Sequence, residues 1–382
     1  MLRALARVNL AAIERNVVRL RSGLAGGTEL CAVVKANASG HGAVEVARAA
    51  IAGGATRLAV ATVDEAAELR AAAITEPVLV MGAISSEELP VALDAGAEVV
   101  AWSERFVAEL AAATANRSTA SASGPVKVHV KLDTGMGRLG TRAVSDALVV
   151  AERVSSCGPV LELSGAMTHF ATADGDGEFL AAQLAVFAPF AAQLRRRTTG
   201  SILVHAANSA ATLREPASHL DMVRCGIALY GCDPMDLDPD RWGLEPALQL
   251  SSYVALVKLA RPGDSAGYGR RFVAERETWL ATLPIGYADG VRRALTNNCD
   301  VLINGRRYPL VGTVSMDNVT VDLGPEPSVA QGAEAILIGR SGAERQTAED
   351  LASRIGTVTH EILCGISARV HRRYHRDGAP VA

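Results

Sequence analysis

The chain has 382 residues, 49% of them apolar, and a formal net charge of −3. That length suits one large domain plus a smaller one, and the apolar share allows a sizeable core. The near-neutral balance gives no reason to expect nucleic acid or an anionic membrane as a partner. The first residues, Met1-Leu-Arg-Ala-Leu-Ala-Arg7, hold no apolar core followed by a cleavage site, and no run of eighteen or more apolar residues lacks charge. Neither a leader nor a membrane span is therefore expected. The cysteines (31, 157, 225, 232, 299 and 364) are scattered without CxxC or Cys/His spacing, so free thiols in a reducing cytoplasm, and no metal, are expected.

In chain order, residues 10–24 read as an amphipathic helix through Leu10, Ile13, Val17, Val18 and Leu20. Next comes Cys31-Ala-Val-Val-Lys-Ala-Asn-Ala-Ser-Gly-His-Gly42. Its apolar run from Leu30 ends in Lys35, small and turn-forming residues follow, and a helical pattern runs from Ala43 to Ile51. The reading is a buried strand that stops at Lys35, a tight turn, and a helix packing back. Desolvation there would lower the lysine's pKa and make it a usable nucleophile or base. The alternative is a lysine that has simply reached solvent.

Further apolar runs lie at Leu58–Ala61, Val78–Met81, Glu98–Trp102, Val126–Leu132, Leu161–Phe170, Ile202–Ala206 and Met222–Leu229, with helical segments between them. One such segment ends in Arg195-Arg196-Arg197, which reads as favourable charge at a helix C-terminus. With the run ending at Lys35 these make eight βα units, which implies a parallel sheet. No nucleotide-binding glycine fingerprint follows the first strand. The pattern favours a (β/α)8 TIM-type barrel over an open doubly wound sheet. After Pro234 the texture changes. A turn-rich connector, Asp236–Trp242, leads to strand-like runs at Leu248–Leu259, Thr278–Pro284, Asp300–Asn304, Tyr308–Val314, Val319–Leu323 and Glu334–Ile338. Asn304-Gly305 is a hairpin signal. The expected division is an α/β barrel over 1–242 and a mostly-β domain, with a short helix near 347–354, over 243–382.

In a barrel, chemistry collects on the loops after the strands, so strand ends act as a filter. Lys35 ends the first strand. Lys131-Leu-Asp-Thr-Gly-Met-Gly-Arg-Leu-Gly140 follows the fifth, its glycines freeing the backbone to place Arg138. Thr168-His169 ends the sixth, Asn208-Ser209 follows the seventh, and Arg224-Cys-Gly-Ile227 lies at the eighth. Loops seven and eight recurrently bind phosphate in barrels. A lysine, a phosphate cradle, arginines and a histidine together point to pyridoxal phosphate held as a Schiff base. Each residue alone has a plainer reading. Arg138 could close a surface turn, His169 could be a satisfied core histidine, Ser209 could be a helix cap, and Arg224 could pair with a barrel carboxylate.

The motifs Val34-Lys-Ala-Asn-Ala38, Lys131–Gly140, Met167-Thr-His-Phe-Ala-Thr-Ala-Asp174, His205-Ala-Ala-Asn-Ser209, Val223-Arg-Cys-Gly-Ile-Ala-Leu-Tyr-Gly231, Ala266-Gly-Tyr-Gly-Arg270, Leu283-Pro-Ile-Gly-Tyr-Ala-Asp-Gly290 and Gly312-Thr-Val-Ser-Met-Asp317 span nearly the whole chain. Together they closely resemble the alanine racemase family. The resemblance implies a pyridoxal 5'-phosphate barrel, a β domain, and a homodimer in which each active site is completed by the partner. It implies Lys35 as the Schiff-base lysine and Tyr268, from the other subunit, as the second catalytic base. Arg224 would face the pyridine nitrogen, with His169 linking it towards Tyr268. Arg138 would hold the cofactor's phenolic oxygen and the substrate carboxylate, helped by the backbone N–H of Met316, with Tyr287 also at the substrate. Asn208, Ser209, Gly226 and Ile227 would sit at the phosphate, and Lys131 is the position at which members often carry a carbamylated lysine.

Two bases on opposite faces suit racemisation, which removes a proton from one face of Cα and returns one to the other. An arginine against the pyridine nitrogen keeps it unprotonated, which argues against decarboxylation and transamination. The chain departs from the family at Ser39, where a tyrosine usually donates to the phosphate, and at Ala368, where some members carry another tyrosine; Tyr374 could replace it. Ser315 stands where cysteine is common. The expected activity is interconversion of L- and D-alanine, supplying D-alanine for peptidoglycan. The alternatives are a same-fold racemase for serine or another small amino acid, and a non-catalytic pyridoxal phosphate carrier.

Overall fold

The computed structural model describes residues 2–116, 124–198, 200–326 and 328–381. Two compact units emerge. One comprises residues 14–38 and 43–229, and the other residues 1–13, 39–42 and 230–382. Strand β1 (Leu5–Asn9) belongs to the second unit and precedes the barrel in the chain.

The first unit is a closed parallel barrel of eight strands in sequence order. They are β2 (Glu29–Val33), β3 (Arg57–Val60), β4 (Val78–Val80), β5 (Glu98–Ala101), β6 (Val126–Lys131), β7 (Leu161–Met167), β8 (Leu203–His205) and β9 (Met222–Cys225). Closure comes from β9 pairing with β2, with Cys31 opposite Arg224. β4, β5 and β9 are buried along their whole length, because helices cover one face while side chains fill the interior. That is why β4 reads in the sequence as an unbroken apolar run, whereas β5 and β9 each carry one buried charged residue, Glu98 and Arg224. Cys31, Val33, Ala59, Leu79, Val100, Met167 and Met222 make the apolar part of the interior. Each fully buried Val or Leu contributes roughly 1.5–3 kcal/mol.

Helix starts follow the local chemistry. Thr62 and Glu65 form a capping box at Val63–Ala71, Ser103 caps Glu104–Ala115, and Asp176 caps Gly177–Arg197. The last of these is long and apolar enough by composition to cross a membrane. Here it is a barrel helix between β7 and β8 that buries Leu180, Phe187, Phe190 and Leu194 and ends in Arg195, Arg196 and Arg197.

The strand-end reading needs correction in places. The first barrel strand stops at Val33 rather than Lys35, and Lys35 is exposed rather than buried. The runs read to Phe170 and Leu229 end as strands at Met167 and Cys225, since Ile227–Tyr230 is a 3-10 turn. The opening helix is Leu10–Ser22.

The second unit is built on a long mixed sheet. β1 runs antiparallel to Leu248–Tyr253 and parallel to His371–Arg376. Residues 1–13 and 230–242 group with the β unit. The run Leu248–Leu259 is two strands, Leu248–Tyr253 and Leu256–Ala260. Between them Val254 bonds to Ala333 and Ala255 to Thr282, so the chain changes neighbours there. Asn304 and Gly305, with φ of 50° and 76°, join Asp300–Ile303 to Arg306–Val311 as a tight hairpin. Helix Ala348–Ile355 has a Thr347/Asp350 capping box and a left-handed Gly356 at its end. Helix Thr359–Cys364 and strand His371–Arg376 are additional to the elements read from the sequence.

Candidate active site

Lys35 opens an unusual turn. Ala36, Asn37 and Ala38 lie in the left-handed helical region, with φ of 51–53° and ψ of 48–49°, and Ser39 follows with φ of 49°. L-residues pay roughly 1–2 kcal/mol each for this conformation, so something must impose it. Three hydrogen bonds do. Ala38 N–H donates to Val34 O (2.8 Å), Ala43 N–H to Asn37 Oδ1 (2.8 Å), and Ala36 N–H to the Glu65 carboxylate. The other Glu65 oxygen accepts from Ala61 and Thr62 N–H. Glu65 thus braces the lysine turn from the start of the next helix.

Arg224 is 3% exposed and points into the barrel end. Its Nη1 donates to His205 Nδ1 (2.8 Å), and its Nη2 to Thr168 O (3.0 Å), Ala206 O (3.0 Å) and His169 Nδ1 (3.2 Å). All four acceptors are neutral, so Arg224 does not pair with a barrel carboxylate. Burial pushes its pKa down to about 10, which leaves it cationic at neutral pH. Burial first, and then the charges of Arg224, Arg138, Lys131 and Lys35, hold His169 well below its usual range. It is a neutral acceptor to Arg224.

Lys131 is 4% exposed. Burial, then Arg224 and Arg138, lower its pKa to about 8, with Asp133 opposing and Lys35 adding. Lys35, Lys131, Arg138, His169 and Arg224 therefore share one electropositive end of the barrel. Arg138 is exposed on a loop shaped by Asp133, whose carboxylate accepts from the N–H groups of Gly135 (3.1 Å) and Gly137 (3.0 Å). Gly140, at φ +114°, leaves no room for a Cβ, which would lie 2.9 Å from Asp133 N.

At the last two barrel loops the cap of the short helix Ser209–Arg214 is Asn208, whose side chain accepts from Ala211 N–H (3.0 Å). Ser209 is the first helical residue instead. Its Oγ accepts from Gly226 N–H (3.0 Å) and Ala228 N–H (3.4 Å). Gly226 N–H is thus directed at Ser209, while a hydroxyl that accepts twice has its own hydrogen left to give. Ile227 opens the 3-10 turn that follows.

In the second unit, Tyr268 is 75%, Met316 51% and Tyr287 42% exposed. Tyr268 sits between Gly267 and Gly269, both at φ 72°, and its carbonyl accepts from Thr313 Oγ1 (2.6 Å). Tyr287 N–H donates to Ser315 O (3.0 Å) and Ala288 N–H to Met316 O (3.1 Å), so these two segments run together. Fully buried Asp289 binds Arg3 (2.7 Å) and Arg369 (2.8 Å) and accepts from Gly286 N–H (2.9 Å), which fixes the Tyr287 loop.

Residues 8–234 match the family profile "Alanine racemase, N-terminal domain", and residues 247–374 match "Alanine racemase, C-terminal domain". The chain belongs to the alanine racemase family. It is 43% identical over 372 residues to the alanine racemase of Mycobacterium tuberculosis, covering 97% of this chain and 95% of that one. It is 38% identical over 368 residues to alanine racemase 2 of Caldanaerobacter subterraneus, covering 96% and 93%. The crystal structure of the Bacillus anthracis alanine racemase with bound L-Ala-P superposes with a TM-score of 0.91 at 38% identity, covering 99% of this chain and 96% of that one.

Ser39 is 8% exposed, and three residues on a Cβ at Gly42 would lie 1.9 Å from the Tyr374 hydroxyl. Tyr374 therefore lies directly against Gly42. Asp133, Glu65, Gln183 and Asp289 are supporting residues that strand-end reading does not single out. Gln183, 1% exposed, donates to Thr134 Oγ1 (3.1 Å) and His169 O (3.2 Å) and accepts from Ala171 N–H (2.9 Å). It ties the Arg138 loop to the His169 loop. The signal that could find it is a lone glutamine on the apolar face of a helix.

Proposed function

We propose that this chain racemises alanine, using pyridoxal 5'-phosphate held by Lys35, as a cytoplasmic homodimer with shared active sites that supplies D-alanine for peptidoglycan. The observation that carries this reading is the buried Arg224 with four neutral acceptors. A permanently cationic donor at the barrel end suits a pyridine nitrogen kept unprotonated. That limits delocalisation of a carbanion and favours simple return of the proton. The residues present fit the cofactor. Lys35 offers an exposed amine, Ser209 a hydroxyl with a hydrogen to donate to phosphate, and Tyr374 a phenol over the Ser39 turn. Ile227 supplies a backbone N–H to the same anion, as Gly226 does if Ser209 yields it.

When bound, the cofactor supplies the electron sink that acidifies the substrate's α-hydrogen. The chain supplies the rest. Lys35 Nζ takes or returns a proton on one face of Cα, and Tyr268 Oη does so on the other. Arg138, with Met316 N–H, holds the substrate carboxylate, and Tyr287 lies beside it. Tyr268 comes from a second copy, which its 75% exposure suits. The relatives bearing the name alanine racemase favour alanine over serine, and the β unit with its tyrosine opposes a non-catalytic carrier.

The test is circular dichroism of L-alanine and L-serine solutions incubated with the cofactor-loaded protein. Loss of ellipticity with alanine well ahead of serine is expected; no loss with alanine overturns the reading. Lys35→Ala should abolish both turnover and retention of the cofactor through gel filtration. Tyr268→Phe should slow exchange of the L-alanine α-hydrogen more than that of D-alanine, and equal slowing would remove the two-base assignment.

A further inference from the structure

The interior of the barrel holds a polar chain that the roles above do not use. Arg57 Nη1 donates to Glu98 Oε1 (2.7 Å), Glu98 Oε2 faces His129 Nε2 (3.1 Å), and His129 Nδ1 faces His205 Nε2 (2.8 Å). His205 Nδ1 faces Arg224 Nη1 (2.8 Å). Glu98 is 5% exposed and both histidines are completely buried. The chain crosses from the start of β5 to the end of β9, linking one end of the barrel to the guanidinium at the other.

Its ends are chemically fixed. Arginine only donates and an ionised carboxylate only accepts. His205 Nδ1 must therefore be a bare lone pair, so its proton sits on Nε2. That N–H requires His129 Nδ1 to be bare as well, which puts the His129 proton on Nε2, facing Glu98. Only one tautomer of each ring satisfies every contact. A proton added to His129 Nδ1 would meet the His205 N–H, and one added to His205 Nδ1 would meet Arg224. Neither ring can charge without breaking the chain.

Two backbone features are built around it. The β6–β7 register slips between Val128 and His129, so that His129 lies opposite Gly165. A Cβ on Gly165 would stand 2.1 Å from His129 Nδ1. The barrel wall is locally irregular and stripped of a side chain where this ring sits.

We propose that Glu98 and His129 are positioning residues for Arg224: they lock His205 as the Nε2–H tautomer and so present a pure acceptor to the guanidinium. Held from one side by His205 and from the other by Thr168, Ala206 and His169, Arg224 keeps one orientation. Glu98 needs both oxygens for this, one for Arg57 and one for His129. Glutamine keeps the shape but offers one acceptor and one donor, so either way round it sets a donor against a donor. The activity part of this inference rests on the racemase reading, but the tautomer part does not.

The first test is long-range 1H–15N NMR of full-length, histidine-15N-labelled protein, with and without pyridoxal phosphate. Two buried rings should be neutral Nε2–H tautomers at pH 7. A doubly protonated ring, or an Nδ1–H form of either, overturns the proposal without any variant having to fold. Glu98→Gln should then convert or double one of these signals while far-UV circular dichroism stays native. In the loaded enzyme, Glu98→Gln should lower kcat about tenfold with little change in KM, the size of loss typical when a supporting hydrogen bond is removed. It should also raise the pyruvate released per racemisation turnover, from alanine plus pyridoxal phosphate giving pyruvate plus pyridoxamine phosphate. Unchanged tautomers and an unchanged pyruvate ratio in Glu98→Gln sink the inference. Wild-type protein that shows the tautomers but does not racemise alanine would sink the functional reading alone.

Discussion

Lys131 is the residue whose environment asks most plainly for a change of chemistry. It is buried beside Arg138 and Arg224, and its pKa is pushed down to about 8. At neutral pH a useful fraction is free amine, which reacts with carbon dioxide to give a carbamate and a proton. The carbamate would place a negative charge among three positive ones. Protein prepared in 13C-bicarbonate should show a carbamate carbon signal by NMR that disappears in Lys131→Arg; no signal in the wild type would end this reading. The sign of the pH effect follows from the same shift. The folded state binds this proton less tightly than the unfolded chain, so stability should rise as pH climbs from about 8 towards 10.5, and Lys131→Met should flatten that rise in urea titrations. At this scale the motif residues Lys35, Arg138, His169, Ser209 and Arg224 are legible in the sequence, because glycines and strand ends flag them. Glu98 and His129 are not. They lie inside strands, and only the register slip at Val128/His129 shows which way the ring points.

Among the elements, the start of β5 and the turn after β2 carry opposite kinds of constraint. Burial alone would raise the Glu98 carboxyl, but the hydrogen bond from His129 and the Arg57 guanidinium hold it below its usual range. Lys127 lies 3.9 Å away, and Glu98 joins β3, β5 and β6. Because the folded pKa lies below the unfolded one, the stabilisation is complete above about pH 4.5 and is lost as pH falls towards 2. Glu98→Gln should therefore be less stable than wild type at pH 7, with the gap closing as pH falls towards 2, measured by denaturant melts; parallel curves would refute the linkage. The Lys35 turn is strained instead. Ala36→Gly removes a Cβ at φ 53° and should stabilise the fold by roughly 1 kcal/mol. Gly42→Ala, against the Tyr374 hydroxyl at φ +105°, should destabilise it and weaken retention of pyridoxal phosphate. The eight barrel strands are legible because most of their residues are apolar and buried, although Lys127 in β6 and Glu162 in β7 are exposed. The left-handed turn is not, since Ala36-Asn-Ala-Ser39 has no glycine and is imposed by Glu65, Asn37 and Val34.

For the molecule as a whole, the shared-site reading has a direct complementation test. Lys35→Ala and Tyr268→Phe proteins should each be nearly inactive. After subunit exchange, half of the dimers are mixed, and each mixed dimer holds one intact site, so about a quarter of wild-type activity should return. No recovery, with exchange verified by native mass spectrometry, would place both bases in one chain. The division of the chain was harder to read than its parts. Composition changes near Pro234, yet β1 is an ordinary short apolar strand whose partners, Leu248–Tyr253 and His371–Arg376, lie hundreds of residues away. That pairing has a consequence for synthesis. Leu5 leaves the ribosome early and its parallel neighbour His371 follows 371 − 5 = 366 residues later. At the usual elongation speed the strand waits roughly 20–70 s for that partner. The barrel can fold in the interval, so the first strand made is held in reserve until nearly the last one appears.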